Sequence, residues 1–184
     1  MVMSDQDVVH LIESDAEAMA VLRAAAGLDL PDWWIGAGFV RNRVWDAISH
    51  LPPAPARDVD LAYFDPVRRD PRDDARAEAR ATAALPGVPW EIRNQARMHL
   101  RNDVEPYPST LDAISRWPET ATCVAVTLRG DSVRLVSCHG LADLVGMVVR
   151  PSPAFRNAAG RALVRRRVEV KGWRDRWPEL RLEI

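Results

Sequence analysis

Apolar residues recur along the chain in blocks whose spacing switches between helical and alternating. Val8, Leu11, Ile12, Met19 and Leu22 fall at helical intervals near the start. Ser4-x-x-Asp7 and Ser14-x-x-Glu17 both have the form of capping boxes, and Gly27 suits a helix end, so two helices are predicted within residues 4–26. Trp33-Trp34-Ile35, between Pro31 and Gly36, is too short for a helix and reads as a buried strand. Gly36-Ala37-Gly38 ends it, after which Val40, Val44, Trp45 and Ile48 repeat at helical spacing as far as Leu51-Pro52-Pro53. The predicted unit is strand, glycine turn, helix.

Beyond the stiff loop carrying Pro52, Pro53 and Pro55, residues 58–64 alternate as a strand with Val59, Leu61 and Phe64 apolar. Residues 70–84 are rich in alanine and charge, which predicts a solvent-facing helix closed by Pro86-Gly87, and residues 88–93 predict a further strand. Tyr107-Pro108-Ser109-Thr110 opens a short helix ending near Trp117-Pro118. Residues 122–128 and 132–137 alternate and are β-branched about Gly130-Asp131, the glycine-first signature of a type II′ hairpin. A symmetric turn there sets Cys123 opposite Cys138. Residues 141–149 read as an apolar helix broken by Pro151 and Pro153, and a basic amphipathic helix is expected from about 154 to 177 with Val164, Val168 and Trp177 inward. Strands interleaved with helices predict an α/β (α+β) fold, a mixed sheet flanked by helices, in a single domain over 1–184.

Composition narrows the function classes. The chain has 184 residues, 47% hydrophobic and 28% charged, as in a soluble globular protein that needs no disulfide or metal staple. Its 25 basic and 26 acidic residues give a net charge of -1, so a case for nucleic acid rests on local patches. Acids crowd the start (Asp5, Asp7, Glu13, Asp15, Glu17, Asp29, Asp32), with Arg23 as the one base. Bases crowd residues 156–176: Arg156, Arg161, Arg165, Arg166, Arg167, Lys171, Arg174 and Arg176, against Glu169 and Asp175. Lys171 is the only lysine. No long apolar run and no signal-like start occur, so no membrane span and a cytoplasmic location are expected. Two Cys and four His lack zinc-site spacing.

Asp58 and Asp60, two apart on a strand, project from one face about 6.6 Å apart along the chain. Such neighbours repel, and a fold keeps them at a solvent edge or beside cations; Mg²⁺ favours a few carboxylates plus substrate phosphates. Just upstream, the glycine turn leads into a helix with Arg41 in its first turn, where exposed N–H groups and the dipole favour a phosphate. Glu91, between Trp90 and Ile92 on the next strand, can bring a third carboxylate or stand on an exposed sheet edge. Asn94, Gln95, Arg97 and His99 fit either a site wall or hydrogen-bonded structural roles.

Glycine turn and helix, then Asp-x-Asp on a strand, then a lone acid on a later strand, resemble the nucleotidyltransferase superfamily of the polymerase β type. More closely, Trp34-Ile35-Gly36-Ala37-Gly38-Phe39-Val40, Asp58-Val59-Asp60-Leu61-Ala62-Tyr63-Phe64-Asp65 and the run from Glu91 to His99 resemble one bacterial nucleotidyltransferase-like family, as do Tyr107-Pro108-Ser109-Thr110, Trp117-Pro118-Glu119-Thr120-Ala121-Thr122 and Asp143 to Pro151. The resemblance covers about residues 33–178. It implies Asp58, Asp60 and Glu91 as catalytic metal ligands for Mg²⁺ or Mn²⁺, and Gly36 and Gly38 at the triphosphate. Where the superfamily usually has Gly-Ser or Gly-Gly, this chain has Gly38-Phe39, without a serine hydroxyl. The expected activity is transfer of a nucleotidyl group from a nucleoside triphosphate to a hydroxyl acceptor with release of pyrophosphate, Arg41 neutralising phosphate charge. RNA is an acceptor that the basic residues 156–176 would suit. The alternative is a non-catalytic nucleotide- or partner-binding module on the same scaffold. A metal-dependent nuclease is a weaker reading, since Arg93 is a poor substitute for a titratable lysine.

Overall fold

The structure, a computed structural model, describes residues 3–55 and 57–184. A five-stranded sheet runs in the order β3 (Trp90–Asn94), β2 (Val59–Tyr63), β1 (Trp34–Gly36), β4 (Val124–Arg129), β5 (Ser132–Ser137). β2 and β3 are parallel, with Asp60 beside Glu91 and Leu61 beside Ile92; the other pairings are antiparallel, so the sheet is mixed as expected. One sheet face, carrying Ile35, Val59, Leu61, Ile92, Val124 and Val126, joins the main core. The helices packed against it are α1 (Asp5–Glu13), α2 (Ala16–Ala26), α3 (Gly38–Ile48) and α4 (Pro71–Ala84). On the other face Trp34, Ala62 and Ala125 pack under Ile114 of α6 (Thr110–Ser115). Past that cover the second face opens, and Asp60 and Glu91 stand there.

Local chemistry sets most element ends. Ser4 and Asp7 form the capping box that starts α1. The second box does not form: Asp15 caps α2, its Oδ1 accepting from Glu17 and Ala18 N–H at 2.9 and 3.0 Å, while Ser14 Oγ donates back to the His10 carbonyl. Gly130 has φ 58° at the first central hairpin position, as a type II′ turn requires, and the resulting register has Cys138 N–H donating to the Cys123 carbonyl at 3.0 Å. Both thiols are free.

Two long predicted helices break. From 141 to 149 only one turn forms, α7 (Ala142–Val145); Met147 at φ 52° then redirects the chain into β6 (Val148–Val149), which pairs in parallel with β7 (Arg181–Leu182). The basic stretch divides into a 3₁₀ turn at Pro153–Phe155, α8 (Ala158–Val170) and α9 (Trp173–Arg176). Gly172, at φ 61°, makes the second break, and Asn157 caps α8 by accepting from Gly160 N–H at 2.7 Å. Val164, Val168 and Trp177 are buried as expected, and Trp173 joins them.

α4 is less solvent-facing than its composition suggests. Its Asp74 is 3% exposed, accepts from Tyr63 Oη at 2.8 Å and Asn94 N–H at 3.2 Å, and pairs with Arg97 of α5 (Gln95–Asn102). Glu78 of α4 accepts the outward Ile92 N–H of edge strand β3 at 3.0 Å, and Glu13 of α1 accepts Val133 N–H of the opposite edge strand, β5, at 3.3 Å. Asp74→Ala would leave the half-buried Arg97 charge and two donors without their acceptor. We expect a loss of about 3–5 kcal/mol in urea denaturation, against about 1 kcal/mol for removing the exposed Asp73–Arg76 pair.

Candidate active site

The open face of the sheet carries the acids by simple alternation. In β2, Val59, Leu61 and Tyr63 are buried in the core, so Asp58 and Asp60 point the other way. Parallel register sets Glu91 beside Asp60, and Asp58, Asp60 and Glu91 all line one cleft of about 820 Å³. Crowding has an electrostatic signature. The Asp60 carboxyl is pushed up to about 6, first by burial and then by the charges of Asp58 and Glu91, while Lys171 and Arg41 act in the opposite sense.

A second, smaller lobe of about 230 Å³ adjoins the first, and Ala37, Asp58, Asp60, Arg167 and Lys171 border both. This lobe lies at the start of α3, whose N-cap Ala37 offers no side-chain acceptor to the first-turn N–H groups. Its walls are rich in cations. Arg167 Nε lies 2.6 Å from Oε1 of Glu119, which is wholly buried; Arg176 Nε lies 2.8 Å from Asp46 Oδ1; Lys171 Nζ lies 3.7 Å from Asp58 Oδ2. The large cleft instead presents Tyr107, Trp117, Phe155 and Leu163, an apolar wall suited to flat groups.

The predicted phosphate residues divide. Gly38 borders the basic lobe. Gly36 serves packing: a β-carbon there would come 2.7 Å from the Trp117 ring and 2.8 Å from the Val124 carbonyl. Arg41 is 4% exposed, donates to Thr122 Oγ1 and Asn42 Oδ1 at 2.8 Å each, and stacks over Trp173 at 4.2 Å and Trp45 at 5.0 Å. Burial lowers its pKa to about 10, so it remains a cation at neutral pH and lends its charge to the lobe it borders. Gln95 lines the large cleft. Arg97 is engaged by Asp74, and Asn94 Oδ1 accepts from Asp65 N–H at 3.0 Å. His99 Nδ1 is buried without a partner among the described residues.

Sequence reasoning passed over Glu119 and did not bring Arg167 or Lys171 to the acids. The i,i+4 spacing of Arg167 and Lys171, one face of one helix, was the available signal. Among the described residues no three His, Cys, Asp or Glu side chains stand in an arrangement that would hold a metal ion unaided. The donor chemistry nonetheless suits a hard cation: carboxylate oxygens on one face, with Asp60 raised by burial and by repulsion from Asp58 and Glu91 that a divalent charge would relieve.

Two outcomes follow. Ala37 sits at φ 53°, ψ −126°, a region that glycine occupies freely. Ala37→Gly should therefore raise the urea midpoint by an amount equivalent to about 1 kcal/mol, strain relief exceeding the entropic cost of glycine. For Asp60, the folded state holds its proton more tightly than the unfolded chain, so stability falls as pH rises from the ordinary carboxylate value towards 6. Asp60→Asn should accordingly stabilise the protein at pH 7.5 in EDTA by about 1–3 kcal/mol, a gain that shrinks on acidification below pH 6.

Comparisons with known proteins agree with this architecture. Residues 23–182 match a family model described as nucleotidyltransferase. A solution NMR structure described as revealing a CCA-adding enzyme head domain superposes with a TM-score of 0.86 at 30% identity, covering 98% of this chain and 96% of that one. A solved tRNA-processing enzyme, in an apo form, shares the fold at a TM-score of 0.54 and 16% identity; this chain covers 44% of it, with 89% of its own length aligned. No curated protein matches. No helix among the described residues is long and apolar enough to cross a membrane. With the family match spanning most of its length, the chain belongs to the nucleotidyltransferase family and is an enzyme of nucleotidyl transfer.

Proposed function

We propose that this protein transfers a nucleotidyl group from a nucleoside triphosphate to a hydroxyl of an RNA acceptor, releasing pyrophosphate, with Asp58, Asp60 and Glu91 holding divalent cations, Mg²⁺ or Mn²⁺. The observation that carries this reading is the position of Asp58 and Asp60 on the boundary between a basic lobe and a larger cleft with an apolar wall. Asp58, Asp60 and Glu91 would hold divalent cations, which would supply activation of the acceptor oxygen and charge stabilisation for the leaving pyrophosphate.

The chain's own residues then have separable tasks. Asp58 and Asp60 border both lobes, where the reacting phosphorus would lie. Uncapped N–H groups at Gly38 and the charges of Arg41, Arg167 and Arg176 draw the β- and γ-phosphates into the smaller lobe, a fixed electrostatic environment that needs no rearrangement as charge develops on the pyrophosphate. The acceptor enters from the opposite, larger side, beside Glu91 and the Tyr107–Trp117 wall, where a base can stack. In-line displacement requires attacking and leaving oxygens on opposite sides of the phosphorus, which entry from the two lobes would give.

An RNA acceptor is supported by the outer face of α8, where Arg161, Arg165 and Arg166 are exposed, and by the description of the structural neighbour as a CCA-adding enzyme head domain. Arg167 does not belong to that outer set, because Glu119 holds it at the cleft.

With α-labelled triphosphates, divalent metal and an RNA pool, the wild type should place label in one RNA size class, and Asp58→Asn should lower the rate by about a hundredfold or more. Label in protein or small molecules would reject the RNA acceptor. Metal-dependent triphosphate binding without transfer would favour the binding module. RNA affinity should fall steeply between about 50 and 200 mM salt, and neutralising Arg161, Arg165 and Arg166 together should flatten that dependence.

A further inference from the structure

The cations around the basic lobe differ in how they are held. Arg41 is fixed by Thr122, Asn42 and two tryptophan rings, Arg167 by buried Glu119, and Arg176 by Asp46 and the Pro52 carbonyl. Each guanidinium is thus held in place by the protein, although Arg41 Nε is buried without a partner among the described residues. Arg57 stands at the exposed rim. Lys171 is different. It is the C-cap residue of α8, one turn beyond Arg167; its Nζ is 3.7 Å from Asp58 Oδ2, an ion-pair contact longer than a hydrogen bond. Both side chains are well hydrated, 40% exposed for the lysine and 33% for the aspartate.

A loose, hydrated pair of this kind is worth little and exchanges readily. The residue type matters as well. Every other side-chain cation among the 25 basic residues is arginine, yet a lysine stands at the acidic pair. An ammonium is a point charge on a flexible stem, whereas a guanidinium would grip the carboxylate through two parallel bonds and be hard to dislodge. Lys171 also borders both the large cleft and the basic lobe, so its charge can leave Asp58 without leaving the site.

We propose that Lys171 is an exchangeable counter-ion: it neutralises Asp58 in the metal-free protein, yields that carboxylate to a divalent cation, and then pairs with the phosphates of the bound triphosphate. This rests on the reading of Asp58 and Asp60 as the cation-binding pair. It goes further in assigning a competing and then a cooperating role to one side chain, so that metal should enter against Lys171 and triphosphate should bind with it.

Because the chain has a single lysine, its ε-amine can be followed by acylation with an N-hydroxysuccinimide ester and mass spectrometry of the residue 168–174 region. Mn²⁺ alone should raise Lys171 reactivity above the level in EDTA, and Mn²⁺ with a non-hydrolysable nucleoside triphosphate should lower it below that level. In EDTA, Asp58→Asn should raise the reactivity as Mn²⁺ does in the wild type, and added Mn²⁺ should change it no further. By equilibrium titration, Lys171→Met should bind Mn²⁺ about fivefold more tightly and the Mn²⁺–triphosphate complex about tenfold more weakly, while Lys171→Arg, harder to displace from Asp58, should bind Mn²⁺ alone about fivefold more weakly. Unchanged affinities in Lys171→Met, or a reactivity indifferent both to Mn²⁺ and to Asp58→Asn, would overturn the proposal while leaving Asp58 and Asp60 as metal ligands. A wild type that binds no Mn²⁺, with or without triphosphate, would overturn that underlying reading and the counter-ion with it.

Discussion

Two carboxylates spaced two residues apart on a strand cannot both stay ionised beside an apolar core unless something answers their charge, and the tertiary plan follows from that constraint. The answer comes from more than a hundred residues downstream, where α8 returns across the end of the sheet carrying Arg167 and Lys171. Holding α8 and the α9 turn that follows it takes two buried anchors. Glu119, without solvent exposure, fixes Arg167, and Asp46, 3% exposed, accepts from Arg176 Nε and Trp177 Nε1. Taking either anchor out of water is costly unless its partner arrives, so the helix and the acids are coupled through groups that touch neither each other nor a ligand.

The same logic explains Arg41. Its position in the first turn of a helix after a glycine turn suggests direct contact with phosphate, yet the side chain is turned inward against Trp173 and Trp45. There it supports the wall that α9 forms and contributes a fixed positive field through a medium of low polarity, where a charge acts more strongly than in water. Gly36 is a parallel case: the missing side chain makes room for Trp117, and so brings the aromatic wall of the large cleft close to β1.

Features encoded within a few residues were legible in the sequence. Alternation in β2 put Asp58 and Asp60 on one face, Gly130-Asp131 fixed the hairpin register that sets Cys123 by Cys138, and the burst at Trp34 became a strand feeding α3. That Glu91 stands beside Asp60 depends on the strands being parallel in one particular register, which alternation alone does not specify. Ser14 and Asp15 are adjacent capping residues, and spacing could not rank them. The stretch from 154 to 177 keeps helical periodicity across Gly172, so its break at a left-handed glycine left no mark in the pattern of apolar residues. Glu119, next to Pro118 and just before a short 3₁₀ segment, has no period at all; its importance exists only once Arg167 is opposite it.

The carboxylates of Glu13 and Glu78 carry a different implication. Each occupies an outward N–H at one margin of the sheet, Val133 on β5 and Ile92 on β3. A margin with free donors is a template on which another chain's strand can dock, and the usual end of that process is aggregation. Here both templates are partly occupied from within by helices that already belong to the core. The sheet is discouraged from growing sideways, which leaves its uncovered face, rather than its rims, open to solvent.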